Sequence, residues 1–168
     1  MEKRRSFLKK SGLLLAASSL PFSVVSMHAR RVKSAAEAIE VTLYVDTARI
    51  VKPNINPFCN FGQPATILNE EFTIDANVGD TVTWLGVSSN APLTDVVNIV
   101  MINHEGGKNV FDKNVLKGDG KTPERVTGEV KYPTTVTTKY KYKISFTVIN
   151  NGVQRNGVFH IDPKMEVH

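Results

Sequence analysis

The chain has 168 residues, which is enough for one ordinary domain. Its single cysteine excludes an internal disulfide framework and a cysteine-based zinc site. Its formal net charge is +5, but the positive excess lies in the first 38 residues, whereas residues 39–168 hold 13 Lys/Arg and 14 Asp/Glu. A near-neutral domain lacks the basic surface that binds a phosphate backbone, so we expect no nucleic-acid partner.

The chain begins with the three-part pattern of an export signal, which is a basic start, an apolar run and then small residues. The basic start resembles the twin-arginine translocation motif Arg-Arg-x-Phe-Leu-Lys through Arg4, Arg5, Phe7 and Leu8. The apolar run at 12–26 is too short to span a bilayer, which needs roughly 20 apolar residues. The sequence therefore predicts export by the twin-arginine translocase, a periplasmic or secreted location, and no stable membrane anchor.

Two points fit the end of this leader, and the sequence alone leaves both open. Cleavage after Ala38 follows the small-x-small rule. Cleavage after Ala29 is nearer to the apolar run but places the larger Met27 at position −3, the third residue before the cut. We expect a signal peptide and short linker over residues 1–38 and a single domain over residues 39–168. Because twin-arginine substrates cross the membrane folded, this domain completes its core before export.

From residue 40 onward, apolar residues alternate with polar ones, which is typical of strands with one buried face. The clearest alternation is at 140–148, and the Asn151-Gly152 pair after it favours a tight hairpin, because both residues adopt positive φ readily. The pattern predicts strands at 40–46, 72–76, 80–86, 95–103, 109–111, 126–131, 140–149 and 155–162, with 164–167 as a candidate ninth.

Short strands at this spacing predict an all-β fold, a two-sheet antiparallel β-sandwich of immunoglobulin or cupredoxin type. Residues 50–70 contain three prolines and no sustained alternation, so we expect a long crossover loop there, either a binding loop or a plain connection between the sheets. The expected core consists of the inward-facing residues Val41, Leu43, Val45, Val82, Trp84, Val97, Ile99, Ile144, Phe146, Val148, Val158 and Ile161.

Residues 39–168 contain no nucleophile elbow, no His-Glu-x-x-His and no phosphate-binding glycine loop. We therefore expect no enzyme activity, no catalytic residues, no cofactor and no metal. His104, beside a pair of glycines, is interpreted as a solvated turn residue. Cys59 is either buried between Phe58 and Phe61 or able to cross-link two chains into a homo-oligomer after export.

Residues 78–84, Val-Gly-Asp-Thr-Val-Thr-Trp, are similar to a segment of the cupredoxins, which are exported β-sandwich copper proteins. That resemblance implies a site built from two histidines, a cysteine and a methionine. His160 and Met165 lie late in this chain, but Cys59 lies far upstream of them. A cupredoxin-like copper or electron-transfer protein is therefore the alternative function.

Three segments contain the sequence motifs of one bacterial family in the same order. The first, at 43–50, is an apolar run that contains Asp-Thr. The second, at 74–90, contains Gly-Asp-Thr-Val-Thr-Trp and a Ser-Ser-Asn turn. The third, at 142–163, contains Tyr-x-x-x-Phe-x-Val and Gly-x-x-x-x-Asp-Pro. Together they resemble the AidA/PixA inclusion body protein family, over nearly all of residues 41–167. The resemblance implies a compact β-sandwich without known catalytic residues, which in some members accumulates as intracellular inclusions.

The predicted function is therefore that of an exported, non-enzymatic β-sandwich protein of the AidA/PixA type, with a binding or self-associating role. The chain departs from the family in two ways. His160-Ile161 replaces an aromatic-Trp pair before the Asp-Pro, and the leader directs the chain out of the cytoplasm.

We expect the double variant Arg4→Lys/Arg5→Lys to remain in the cytoplasm with its leader attached, because the translocation motif depends on the arginine pair. Cell fractionation followed by intact-mass measurement tests this expectation. The same exchange at Arg30 and Arg31, outside the motif, is the matched control. An unchanged periplasmic yield of the first variant would contradict the assignment of the leader.

Overall fold

The computed structural model describes residues 35–168, so the predicted translocation residues Arg4, Arg5, Phe7 and Leu8 lie outside the described part. In that part, the helical content is limited to a 3-10 turn at Asn56–Phe58, and no helix is long and apolar enough to cross a membrane. The strands are β1 (Ala38–Val45), β2 (Cys59–Asn60), β3 (Thr73–Ala76), β4 (Thr81–Ser88), β5 (Val96–Gly106), β6 (Val115–Leu116), β7 (Arg125–Glu129), β8 (Tyr140–Asn150), β9 (Val153–Gln154), β10 (Phe159–Ile161) and β11 (Lys164–Val167).

The strands form two sheets that pack face to face, so the predicted all-β sandwich is confirmed. The smaller sheet has the order β2-β1-β4-β7. The larger sheet has the order β3-β11-β8-β5-β6, and β9 and β10 also pair with β8. The long strands β5 and β8 run side by side through the middle of the larger sheet. The loop predicted over residues 50–70 contains the 3-10 turn and β2, which the sequence did not predict, and this crossover loop connects the smaller sheet to β3 of the larger sheet.

Both sheets are mixed rather than purely antiparallel. β1 pairs with β4 in parallel along its whole length, from Ala38 opposite Thr81 to Val45 opposite Ser88. β3 pairs with β11 in parallel as well. The alternation of apolar and polar residues shows which face of a strand is buried, but it does not reveal the direction of the neighbouring strand. The parallel pairs therefore could not be found from the pattern.

The core lies between the two sheets and is centred on Trp84, whose side chain is 0 % exposed. Its Nε1–H donates a hydrogen bond to the Tyr142 hydroxyl at 3.2 Å. The indole ring also meets the rings of Phe111 and Tyr142 edge to face, with centroid distances of 5.6 and 5.5 Å. The expected core residues are buried except Val158, which is half-buried because Phe159 fills the core position in its place.

Two predicted strands are wrong in their boundaries. Residues 109–111 form bends, because the Asn109 side chain accepts the Phe111 N–H at 3.0 Å while Phe111 itself enters the core. The predicted strand 155–162 is shortened to β10, and the segment between β9 and β10 contains Gly157 with φ of 85°. The Arg155 N–H still donates to Val148 O of β8 at 2.8 Å, while the Arg155 side chain contacts the turn after β1.

The predicted hairpin at Asn151-Gly152 is confirmed. Asn150 pairs with Val153, and the two residues between them have φ of 50° and 75°. Two successive positive φ values are what a tight two-residue turn requires, and they match the right-handed twist of the strands on either side.

We expect Trp84→Ala to lower the free energy of unfolding by about 3–5 kcal/mol, the range for removing a large buried aromatic side chain. Trp84→Phe is the matched variant, since it keeps a ring in the core but leaves the Tyr142 hydroxyl without its indole donor. Urea unfolding followed by circular dichroism measures both. A loss below about 1 kcal/mol for Trp84→Ala would contradict the burial of this side chain.

Candidate functional site

Polar side chains from distant parts of the chain meet where β1 ends. We call this group the Asp95 cluster, and it consists of Thr47, Ser88, Asn90, Asp95, Asn150 and Arg155. Thr47 is fully buried at its centre. Its hydroxyl donates to Asp95 Oδ2 at 2.5 Å and lies 2.9 Å from Ser88 Oγ. The Asp-Thr and Ser-Ser-Asn segments of the family resemblance therefore contact each other directly.

Asp95 is 5 % exposed and accepts hydrogen bonds on both carboxylate oxygens. Asn150 Nδ2 donates to Oδ2 at 2.7 Å, and the Asn151 N–H donates to Oδ1 at 2.9 Å. The Thr47 hydroxyl is the strongest of several donors that hold the pKa of Asp95 below its usual value, and the positive charge of Arg155 acts in the same direction. The carboxylate thus joins the ends of β1 and β8.

The guanidinium of Arg155 completes the cluster through main-chain carbonyl groups. Nε–H donates to Thr47 O at 3.2 Å, and Nη2 donates to Ala48 O and to Asn150 Oδ1. The polar groups of the cluster are therefore bonded to one another and to the backbone. Such mutual pairing is typical of a buried network that fixes loops.

A second carboxylate, Asp80, holds the opposite end of β1. It is 1 % exposed and accepts the N–H of Glu37 at 2.8 Å and that of Asn77 at 2.7 Å. Burial acts to raise the pKa of Asp80, but these hydrogen bonds outweigh it and the net shift is downward. Gly79 precedes it with φ of 102°, a conformation that favours glycine. The Gly-Asp-Thr segment is thus a turn that anchors β1.

The histidines are held by local contacts rather than gathered into one site. His104 stacks on Tyr140 with a centroid distance of 5.3 Å, so it is packed rather than a solvated turn residue as its neighbours suggested. His160 Nδ1 lies 3.0 Å from Ser145 Oγ. Ser145 is only 3 % exposed, so a molecule in solution has little access to its hydroxyl group. Within residues 35–168, no three His, Cys, Asp or Glu side chains are arranged to hold a metal ion.

Cys59 is buried in the crossover loop, at 3 % exposure, and its thiol donates to Ile55 O at 3.3 Å. Burial raises the pKa of Cys59 to about 12, so the reactive thiolate is scarce near neutral pH. A disulfide between two chains, which the odd cysteine allowed, would therefore require this loop to open.

The crossover loop surrounds a surface cavity of about 500 Å³ whose walls include Asn56, Gln63 and Asn69. Asn69 Nδ2 donates to Asn56 Oδ1 at 3.1 Å and to Cys59 O at 2.9 Å, and Gln63 Nε2 donates to Asn69 Oδ1 at 2.8 Å. The amide groups thus hold the loop in one shape around the cavity.

A second cavity of about 420 Å³ is lined by Glu70, His160 and Asp162 among others. Burial raises the pKa of Asp162, and the carboxylates of Glu105 and Glu70 add to this, whereas the ammonium group of Lys143 opposes it. Sequence reasoning missed this grouping, because Glu70 lies on a different segment from the other two residues.

The main unpaired feature of the described residues is one edge of β1. The hydrogen bonds Thr81 N–H to Glu37 O and Ser89 N–H to Val45 O show that alternate residues of β1 face β4. The residues between them, including Glu40 and Thr42, therefore direct their N–H and C=O groups away from β4. On that side β2 pairs only with the end of β1, and no other strand of residues 35–168 pairs with Ala38–Leu43.

The other sheet edges are short or covered. β2 and β6 each have two residues, and β3 has four, one of which is the exposed Asp75. The edge of β7 is approached by Gly118, where a Cβ atom would lie 2.7 Å from Arg125 O. Short, charged and covered edges are the usual ways in which proteins prevent unwanted strand pairing. Within residues 35–168, the edge of β1 is longer than these, and Glu40 is its one charged residue over Ala38–Leu43.

Comparison with known proteins identifies the fold. No family model matches the chain, and no curated protein matches it in sequence. The chain is similar to the crystal structure of the inclusion body protein PixA from Burkholderia cenocepacia, with a TM-score of 0.57 and 14 % identity over 82 % of this chain and 98 % of that one. The resemblance to the AidA/PixA family is thus confirmed as a likeness of fold.

The hydrogen bonds of Asp95 make a specific prediction about acid stability. Because its pKa is lowered in the folded protein, its contribution to stability is present above the unfolded value of about 3.9 and is lost as pH falls through the lower folded value. Asp95→Asn should be less stable at pH 7, since the new amide group would face the donors of Asn150 and Asn151. The deficit should shrink as pH falls below about 4, because the unfolded chain protonates Asp95 there before the folded protein does.

Thermal melting from pH 7 to pH 2 measures this difference for Asp95→Asn and for Asp75→Asn, a control at an exposed carboxylate on β3. A deficit that stays constant down to pH 2 would contradict the role given to the Asp95 carboxylate.

Proposed function

We propose that this chain is an exported, non-enzymatic β-sandwich protein that associates with a second copy of itself through the free edge of β1. The leader motif supports export. The fold likeness to a protein named as an inclusion body protein supports a role in which the sandwich assembles. Internal hydrogen bonds occupy the carboxylates of Asp80 and Asp95, which supports a structural rather than a catalytic use of these two residues.

The single observation that carries the proposal is the side of Ala38–Leu43 that faces away from β4, with which no other strand of the described residues pairs. This segment contains no proline, glycine or lysine, and its one charged residue is Glu40. Its remaining residues are mostly β-branched or aliphatic, which favours strand pairing. Glu40 and Thr42 each offer one donor and one acceptor along the edge, so a second extended chain gains backbone hydrogen bonds there.

A second copy of this chain is the occupant that fits the edge. Two identical strands pair antiparallel about a twofold axis, which joins two smaller sheets into one continuous sheet and closes the assembly as a dimer. Pairing is limited on one side, because β2 already occupies the edge at Tyr44. A contact of this length predicts weak association that depends on protein concentration, rather than an obligate dimer.

We expect Thr42→Pro to abolish self-association while preserving the fold. Proline removes the N–H that points away from β4, and an edge strand tolerates proline where its N–H is not used inside the sheet. Thr42→Val is the matched control, because it retains the N–H and the β-branched shape. Sedimentation velocity over a range of concentrations measures association, and circular dichroism checks the fold.

The wild type and Thr42→Val should shift from monomer to dimer as concentration rises, and Thr42→Pro should remain a monomer. Dimerisation of Thr42→Pro equal to that of Thr42→Val would contradict pairing through this edge. A wild type that stays monomeric at every concentration would contradict self-association itself.

A further inference from the structure

The free edge of β1 has a definite length and a definite middle. The Thr81 N–H donates to Glu37 O at 2.8 Å, which places the odd-numbered residues of this segment toward β4. At the other end, Tyr44 pairs with Asn60 of β2, so the edge is occupied from residue 44 onward. Within the described residues, the positions left open have Ile39 as their midpoint, and they are Ala36, Ala38, Glu40 and Thr42.

A second copy can pair with this edge in only a few registers. In an antiparallel pair about a twofold axis, a residue on the axis faces itself, and every other residue faces one equally far beyond the axis. An axis between two residues would place an even-numbered residue opposite an odd-numbered one, so the free backbone groups would not meet. The axis therefore passes through a residue, and Ile39, Glu40 and Val41 are those nearest to the middle of the edge.

An axis at Val41 conflicts with β2. It would place Ala38 of one copy opposite Tyr44 of the other. Asn60 of β2 already pairs with Tyr44, so the second copy would compete with β2 for the same backbone position. This register would leave only Glu40 and Thr42 paired across the interface.

An axis at Glu40 brings like charges together. The two Glu40 side chains, which point away from the core, would lie directly opposite each other, and such pairs destabilise a sheet. Arg125 Nη1 lies 3.5 Å from Glu40 Oε2, but both side chains are exposed, so this ion pair offsets little of the repulsion. Ala36 would also face Tyr44 and meet β2 there.

An axis at Ile39 uses the whole free edge and avoids both conflicts. Ala38 faces Glu40, and Ala36 faces Thr42, so all four open positions pair across the interface. The half-buried Ile39 side chain packs against the core of its own copy. On the axis it meets the Ile39 of the other copy at a non-hydrogen-bonded position, where facing side chains lie closest, so the exposed part of each is removed from water.

From these constraints we infer that two copies of this chain pair antiparallel about a twofold axis through Ile39, with Ala38 of each copy facing Glu40 of the other. The inference rests on the proposed function, which requires self-association through this edge but leaves the register open. It assigns the contact to residues 36–42 of both copies, and each facing pair of even-numbered residues exchanges two backbone hydrogen bonds.

Disulfide cross-linking of the full-length chain distinguishes the three axes. In each register, residues 39 and 41 lie at non-hydrogen-bonded positions, where facing Cα atoms are about 4.5 Å apart, a distance that a disulfide spans. Under oxidation, Ile39→Cys should cross-link to itself, whereas Val41→Cys should not, because Val41 faces Glu37 in the inferred register. The wild type, whose Cys59 is buried, is the control. Non-reducing electrophoresis and peptide mapping identify the link.

Charge at residue 38 tests the same register without a change in the core, because the Ala38 side chain is exposed. Ala38→Lys should lower the dissociation constant of the dimer roughly 2- to 30-fold, since the twofold axis creates two Lys–Glu40 pairs, and Ala38→Glu should raise it by a similar factor. Ala36→Lys, which faces Thr42, is the matched control and should leave the constant nearly unchanged. Sedimentation velocity measures all three.

Cross-linking of Val41→Cys alone would place the axis at Val41, and cross-linking that needs a mixture of Ile39→Cys and Val41→Cys would place it at Glu40. Either result, or equal dissociation constants for Ala38→Lys and Ala38→Glu, would overturn the inferred register while self-association through the edge stands. A wild type that stays monomeric at every concentration would instead contradict the proposed function, and the register with it.

Discussion

Two buried carboxylates, Asp80 and Asp95, hold the two ends of β1, and the smaller sheet depends on them. Asp80 fixes the chain just before the strand begins, and Asp95 fixes the turn just after it ends. β1 is the strand through which β2 joins the smaller sheet, and its parallel pairing with β4 runs from one anchor to the other. Each carboxylate is almost inaccessible to water, so hydrogen bonds from protein groups replace the solvation that it loses.

The sequence could predict those parts of the fold that depend on local patterns. Strands with one buried face, such as β8, can be predicted from the alternation of apolar and polar residues. The Asn151-Gly152 turn can be predicted from the φ preferences of two residues. Residues 109–111 lack this kind of local information. Phe111 is apolar because it packs against Trp84, and its backbone bonds to a side chain instead of a neighbouring strand.

The same reasoning predicts only part of the candidate site. Three of its segments, Asp-Thr, Gly-Asp-Thr and Ser-Ser-Asn, resemble motifs of a family. Their structural role, however, depends on contacts between residues that are far apart in the sequence. Thr47 reaches Ser88 across 41 residues and Asp95 across 48. The free edge of β1 could not be predicted from the sequence, because it depends on which strands lie beside β1 and not on the residues of β1 themselves. Periodicity within one segment contains no information about absent neighbours.

The contact of Arg155 with Thr47 spans 108 residues, and this distance sets the timing of folding. During synthesis the first strand emerges from the ribosome early, but the arginine that secures its end is added only when the chain is nearly complete. At roughly 5–20 residues per second, several seconds separate the two events. Contacts between distant residues also form slowly after synthesis. The end of β1 is therefore secured late, when most of the sandwich has already been synthesised.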